Sequence, residues 1–195
     1  MTRLILASGS QIRRKILENA KIPFAVKTSG VDEDAIKQAW TGTDPTELAL
    51  LLAEAKAGAV SAESDQLVLG ADQVLGLDGE MFDKAKSAGE ARDRLLHLRG
   101  KTHTLHCGLA AVRAGEVIWR HRQESHLKVR DFSDDYLDHY LKAAGDVLTA
   151  SVGAYAYEEL GAQLFDAVDG DYYAILGLPL LPVLDLLRQE GVLER

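Results

Sequence analysis

Short unbroken apolar runs alternate along this chain with apolar residues at helical spacing, so the pattern predicts strands and helices interleaved rather than segregated. Arg3-Leu4-Ile5-Leu6-Ala7 reads as a buried strand and Ser8-Gly9-Ser10 as a turn. Gln11 to Ala20 then places Ile12, Ile16, Leu17 and Ala20 on one helical face, with Ser10 as its N-cap. Phe24 to Thr28 is a second short strand, whereas residues 30–42 carry several acids and Trp40 without a decisive period. Pro45 opens a helix capped by Thr43 or Asp44, which runs to about Val60 and buries Leu48, Leu51, Leu52 and Ala55. Leu67 to Ala71 is another core strand, expected to end at Asp72.

Val74 to Phe82 holds a strand, an Asp78-Gly79 turn and a short return strand. Ser87 to Leu98 is a helix with Ser87 and Glu90 at capping-box spacing, stopped by Gly100. Thr102–Arg113 and Glu116–Arg130 are two long strands joined at Ala114-Gly115. Ser133 caps a helix over Asp134–Lys142, residues 153–176 mix a short helix, a strand and tight turns, and Pro182–Gln189 closes the chain. The result is α/β. No repeat is present, no Pro/Gly/Ser-rich linker marks a boundary, and the order is not a clean βαβ series, so a doubly wound sheet is not expected.

Composition narrows the class. The 195 residues, 47% of them apolar, fit one large domain or two small lobes around a sizeable core. The one cysteine, Cys107, cannot form an intrachain disulfide and reads as a buried small hydrophobe in a reducing compartment. No signal-peptide pattern and no membrane-spanning apolar run occur, so a cytoplasmic protein without a membrane partner is expected. A net charge of −8 argues against coating nucleic acid but leaves a small phosphorylated substrate open, because a phosphate pocket needs only a few local donors.

Such donors gather after the first strand. The free amides at the start of the first helix form an anion site, Ser8 and Ser10 add hydroxyls, and Arg13 adds a planar fork. The same pattern also describes an ordinary capped helix, and it lacks the Gly-Lys-Ser/Thr ending of a Walker A loop. Asp72, after its apolar run, can hold Mg²⁺ or orient a water, or simply cap a turn. Gln73 can read a base edge or simply be a solvated turn residue, and Lys84 can neutralise a phosphate or simply stand in solvent, as a lone lysine usually does. Asp32-Glu33-Asp34 reads as a solvated acidic turn, and Glu54 and Lys56, two apart, do not share a helical face. The histidines have no metal-site spacing, since His103 and His106 face opposite sides of a strand.

Taken in order, several short segments carry a resemblance. They are Leu6-Ala7-Ser8-Gly9-Ser10-Gln11-Ile12-Arg13-Arg14, Val31-Asp32-Glu33, Leu52-Ala53-Glu54-Ala55-Lys56-Ala57, Leu69-Gly70-Ala71-Asp72-Gln73-Val74, Asp83-Lys84, Gly108-Leu109-Ala110, Gly153-Ala154-Tyr155 and Gly170-Asp171-Tyr172 leading to Gly177-Leu178-Pro179-Leu180. With this order and spacing, from Leu4 to about Leu187, the chain resembles the Maf family of nucleoside triphosphate pyrophosphatases.

The resemblance implies a single Maf-like domain over residues 1–195, with a mixed, elongated central sheet, flanking helices and two lobes around a cleft (a Maf/ITPase-like fold). It implies a hydrolase of nucleotide metabolism that uses Mg²⁺ or Mn²⁺ and forms a homodimer, in a family linked to septum formation. Its functional positions fall on Ser8, Arg13, Glu33, Lys56, Asp72, Lys84 and Glu158, with Asp72 as catalytic base and Asp72 and Glu33 as metal ligands. Gln11 and Ala85 stand where the family commonly has proline. Gln73 and Glu158 resemble the 7-methyl-GTP branch, whereas Ile12 replaces that branch's tryptophan and the arginine of the thymidine/uridine branch. The alternatives are a dTTP/UTP pyrophosphatase and a nucleotide-binding regulator of cell division without turnover.

Overall fold

The computed structural model describes residues 3–194. Within that span the chain forms β1 (Arg3–Leu6), α1 (Gln11–Asn19), β2 (Phe24–Val26), α2 (Glu33–Ala39), α3 (Pro45–Gly58), β3 (Gln66–Leu77), β4 (Glu80–Phe82), α4 (Ala88–Leu98), β5 (Thr102–Arg113), β6 (Glu116–Val129), α5 (Asp134–Ala144), α6 (Val147–Ala150), β7 (Phe165–Asp169), α7 (Tyr172–Ile175) and α8 (Leu180–Gln189), with a 3-10 turn over Leu160–Leu164. The strands make one mixed sheet in the order β2-β1-β3-β5-β6-β7, and β4 pairs with β3. The expected α/β architecture of a mixed sheet with flanking helices is therefore present.

Local chemistry sets the element starts. The side chains of Ser10, Asp32, Asp44, Ser87 and Ser133 each accept a hydrogen bond from a backbone amide in the first turn that follows. Two-residue turns join β3 to β4 and β5 to β6. Asp78 (φ 54°) with Gly79 (84°), and Ala114 (50°) with Gly115 (83°), have the paired positive φ of a type I′ turn, whose twist matches that of the strands.

Two expectations are corrected, and one stretch that the sequence left open is resolved. β3 does not end at Asp72 but runs on to Leu77, because the apolar run resumes at Val74 and its ladder partner β4 lies beyond the acid. Residues 30–42 contain a helix, α2, capped by Asp32 with two acids in its first turn. Leu51 is an exposed position of α3 and Ala55 only a half-buried one, because the buried face is set by Ala49, Ala53 and Ala57, each four residues apart.

The chain divides into two compact units, neither continuous in sequence. One takes in the chain up to Gln73, Cys107–Gln123 and the part from Tyr172 onward. The other takes in Val74–His106 and Glu124–Asp171.

In the first unit β1 lies between β2 and β3, parallel to both, with Leu4 opposite Phe24 on one side and Leu67 on the other. Flanked by hydrogen-bonded neighbours, Leu4, Ile5 and Leu6 are at most 1% exposed, as the unbroken apolar run requires. α3 lies directly on the sheet. A Cβ at Gly70 of β3 would sit 2.1 Å from the Ala53 carbonyl oxygen, and one at Gly108 of β5 would sit 2.3 Å from the Leu50 amide nitrogen. Only glycine permits this approach, and it draws the last turns of α3 down onto β3.

In the second unit Leu95, Leu98, Leu137 and Leu164 form buried apolar positions, and β6 pairs antiparallel with β7. His103 is fully buried, with its Nε2 2.7 Å from the Tyr155 hydroxyl. Tyr155 meets the Phe165 ring edge-on at 4.9 Å. Burial holds the His103 imidazole well below its ordinary range, at about 4, and pushes the Tyr155 phenol upward.

Candidate active site

The turn after β1 is built as the sequence predicts. Ser8 is buried, and its Oγ accepts the Ser10 amide at 3.1 Å. Ser10 caps α1 by accepting the Arg13 amide at 3.4 Å. The Arg13 guanidinium is then fastened to backbone on two sides. Its Nε donates to the Gly177 carbonyl at 2.8 Å and its Nη1 to the Ala71 carbonyl at 2.9 Å. Nη1 also lies 3.5 Å from the Ser8 hydroxyl. Gly177, at φ 88°, adopts a backbone conformation that favours glycine, and a Cβ there would lie 3.3 Å from Nη2. A planar fork held at two nitrogens is oriented before any ligand arrives, and Nη2 has no hydrogen-bond partner among the described residues.

Beside the Ala71 carbonyl stands Asp72, 8% exposed although it carries a carboxylate. Side chains alternate along a strand, so Asp72 shares the face of Gly70, on which α3 lies. That close approach brings Lys56, in the last turn of α3, to Asp72. The Lys56 ammonium is 2.5 Å from Asp72 Oδ1 and 2.9 Å from Glu33 Oε1. Asp72 and Lys56 are nearly buried, whereas the Glu33 side chain at the start of α2 is 41% exposed.

One ammonium between two carboxylates leaves this group with one net negative charge. Asp72 Oδ2 and Glu33 Oε2 accept no hydrogen bond from the described residues. Together they can act as acceptors for a water proton or as hard oxygen ligands for a cation. Among the described residues no group of three or more His, Cys, Asp or Glu side chains is placed to hold a metal. A cation here would take these two carboxylates and draw its other ligands from phosphate oxygens and water, a donor set that suits Mg²⁺.

Gln73, on the opposite face of β3, donates from Nε2 to the Ala174 carbonyl at 2.9 Å and the Ile175 carbonyl at 3.2 Å, and so ties β3 to α7. Its Oε1 is the group it has to offer a ligand. Glu54 points away from Lys56, as their spacing requires, and pairs with Arg120 through both carboxylate oxygens, at 2.6 and 3.1 Å. Lys84 is an exposed residue between β4 and α4, and Glu158 is exposed shortly before the 3-10 turn; both belong to the second unit. Ile12 is half-buried on α1.

Sequence reasoning missed two structural parts of the site. Asp32 positions Glu33 as a helix cap, with Oδ1 accepting the Ala35 amide at 3.0 Å, and the acid-rich first turn was its signal. The carbonyls of Ala71 and Gly177, which fix Arg13, had no side-chain signal at all.

These features define an α/β protein with an oriented guanidinium beside a buried carboxylate. The chain belongs to the Maf family, whose profile, described as Maf-like protein, matches residues 3–190. It is 59% identical over 196 residues to a nucleoside triphosphate pyrophosphatase of Maricaulis maris (strain MCS10), with 100% of each chain covered. It is 49% identical to a nucleoside triphosphate pyrophosphatase of Caulobacter vibrioides, covering 99% of this chain and 98% of the relative. A 7-methyl-GTP pyrophosphatase of Rhizobium meliloti is 42% identical, with 98% of each chain covered.

Proposed function

We propose that this protein hydrolyses a nucleoside triphosphate to the monophosphate and pyrophosphate. The observation that carries the reading is the Lys56 ammonium held between Asp72 and Glu33, next to the carbonyl that orients Arg13. Full-length relatives that bear this activity as their name support it. In this reading Arg13, Ser8 and the amides at the start of α1 hold the phosphates. Asp72 takes the proton of a water whose oxygen attacks the α-phosphorus. The bond from that phosphorus to the oxygen bridging the α- and β-phosphates breaks, and pyrophosphate leaves with the bonding electrons. Lys56 orients the Asp72 carboxylate and, with Arg13 and Lys84, balances the charge that develops on the phosphate oxygens. Asp72 and Glu33 would hold a divalent cation, Mg²⁺ or Mn²⁺, which when bound would supply Lewis-acid polarisation of the phosphate.

The finer reading is a preference for 7-methyl-GTP. It rests on the resemblance at Gln73 and Glu158 and on the chemistry of the base. A carboxylate at position 158 can accept hydrogen bonds from the N1–H and exocyclic amine of guanine and favours the cationic methylated ring. Thymine and uracil offer one ring N–H between two carbonyls, so the same carboxylate would be poorly satisfied. A homodimer in the cytoplasm belongs to the same reading, and sedimentation of the purified protein tests the dimer.

Kinetics of the purified protein with Mg²⁺ on 7-methyl-GTP, GTP, dTTP and UTP test the proposal. Pyrophosphate and monophosphate should appear in equal amounts. Release of orthophosphate with the diphosphate, or no turnover of any nucleotide, would overturn the activity. A higher kcat/KM on dTTP or UTP would overturn the preference and leave the activity standing.

A further inference from the structure

Within the second unit, the Arg94 side chain joins three stretches of chain that the sequence keeps apart. It projects from α4, and its Nη1 uses both hydrogens on backbone. One goes to the Asp83 carbonyl at 2.9 Å, immediately before Lys84, and the other to the Val152 carbonyl at 2.6 Å, immediately before Gly153-Ala154-Tyr155. Its guanidinium carbon lies 4.4 Å above the centre of the Phe82 ring, at the end of β4. Phe82 also meets the His97 ring at 5.6 Å, which adds a second contact between β4 and α4.

The arrangement is costly to assemble, since burial draws the Arg94 pKa down while Asp83 and Glu90 draw it up. Both hydrogen bonds go to neutral carbonyls, so a partly desolvated cation is used here to fix backbone positions. Arg94 adds to contacts already made by these segments: the Lys86 amide donates to Glu90 at 2.8 Å, and the Tyr140 hydroxyl donates to the Ala154 carbonyl at 3.1 Å. Residues 83–87 form a loop between β4 and α4, and Ala154 is held at φ 58°, an uncommon conformation for a non-glycine residue.

We propose that Arg94 is a positioning residue for this enzyme: it holds the Asp83-Lys84 segment against the Val152–Tyr155 turn, and so sets where the Lys84 ammonium stands. The inference rests on the reading that Lys84 serves the triphosphate. Arg94 touches no substrate and acts through Lys84. Lysine cannot replace it fully, because one ammonium cannot reproduce the planar donor pair together with the face contact on Phe82.

The test is a double-mutant cycle on the full chain, read as kcat and KM for pyrophosphate release with Mg²⁺ and GTP. Lys84→Ala alone tests the underlying reading. Arg94→Ala should lower kcat/KM by on the order of 100-fold, the scale of a displacement of about 1 Å in a positioned group. Arg94→Lys should recover part of that loss. In the Lys84→Ala background, Arg94→Ala should have almost no further effect, a result that a merely structural role would not produce. If Arg94→Ala is too unstable to assay, the same cycle with Arg94→Lys replaces it. Losses that multiply in the double variant would overturn the inference. So would a clear Lys84→Ala loss with Arg94 variants at full activity, which leaves the Lys84 reading intact. Full activity of Lys84→Ala would instead remove that reading, and the inference with it.

Discussion

Replacing Gly70 with alanine adds one methyl group, yet it should act as a wedge under the active site. The new Cβ would lie 2.1 Å from the Ala53 carbonyl oxygen and 3.0 Å from the Ala57 amide nitrogen and Cβ. Ordinary contact for such atoms is about 3.5 Å, so α3 must withdraw from β3 by on the order of 1 Å. The obstructing atoms are helix backbone, which cannot swing aside as a side-chain tip can. Overpacking of this kind costs about 1–3 kcal/mol, and in a chain of this length each kcal/mol lowers Tm by roughly 2–4 °C. The catalytic effect should be larger than the stability effect suggests. Lys56 rides on the same stretch of α3 and makes its 2.5 Å contact with Asp72 only because the helix sits that low. A shift of about 1 Å in such a group costs on the order of 100-fold in rate. Thermal unfolding and pyrophosphate-release kinetics read the two effects separately. Gly58→Ala is the control, because nothing lies within 4 Å of a Cβ there. It should raise stability slightly, by the ~0.5–1 kcal/mol that separates alanine from glycine in a helix, and Tm by a few degrees at most. A Gly70→Ala variant with unchanged Tm and full activity would refute the argument that backbone contact with the sheet places Lys56.

Asp72→Asn keeps the shape of the side chain and removes its charge and basicity, so turnover should fall by about 100-fold or more in a folded protein; near wild-type kcat would exclude Asp72 as base or essential ligand. His103 stays neutral in the native state down to about pH 4, whereas the unfolded chain takes up its proton below about 6.5. Stability should therefore fall as pH drops through that window, by up to about 3 kcal/mol, with no contribution above it. His103→Gln should show a correspondingly shallower decline in urea unfolding between pH 7 and 4, and identical slopes would refute the assignment. Ala114 adopts φ 50° at the tip of an exposed turn, so Ala114→Asn should relieve about 1 kcal/mol of left-handed strain and raise Tm by a few degrees; no rise in a calorimetric scan would count against strain at this turn.

What could be read from the sequence was mostly what is local. Ser10, Ser87 and Ser133 cap their helices as expected because cap and amide lie within three residues of each other. Leu4-Ile5-Leu6 declared a buried strand by its unbroken apolar run. Asp72 was legible as chemistry but misplaced as a strand end, because one acid within an apolar run looks like punctuation until its partner is known. That partner, Lys56, was identified as a position by family resemblance, while its pairing depends on a contact between a helix and a strand. Gly70 and Gly108 gave no usable signal, since a glycine in a strand marks equally a bulge, a bend or a close approach. The fixing of Arg13 was invisible for a different reason: its acceptors are carbonyl oxygens, which every residue carries.

The way the chain passes between its two compact units has a consequence for its genetics. The unit boundaries at residues 73/74, 106/107 and 123/124 fall inside β3, β5 and β6, within unbroken strands. Neither unit corresponds to one stretch of coding sequence. Recombination that exchanges a single block of gene for a relative's therefore never hands over one whole unit by itself, and it cuts a strand whenever it honours one of these three boundaries. Junctions chosen instead at the exposed turns Asp78-Gly79 or Ala114-Gly115 leave every strand whole. Chimeras of this protein with its relatives should accordingly survive as folded proteins when spliced at hairpin tips, and fail when spliced at the edges of the compact units.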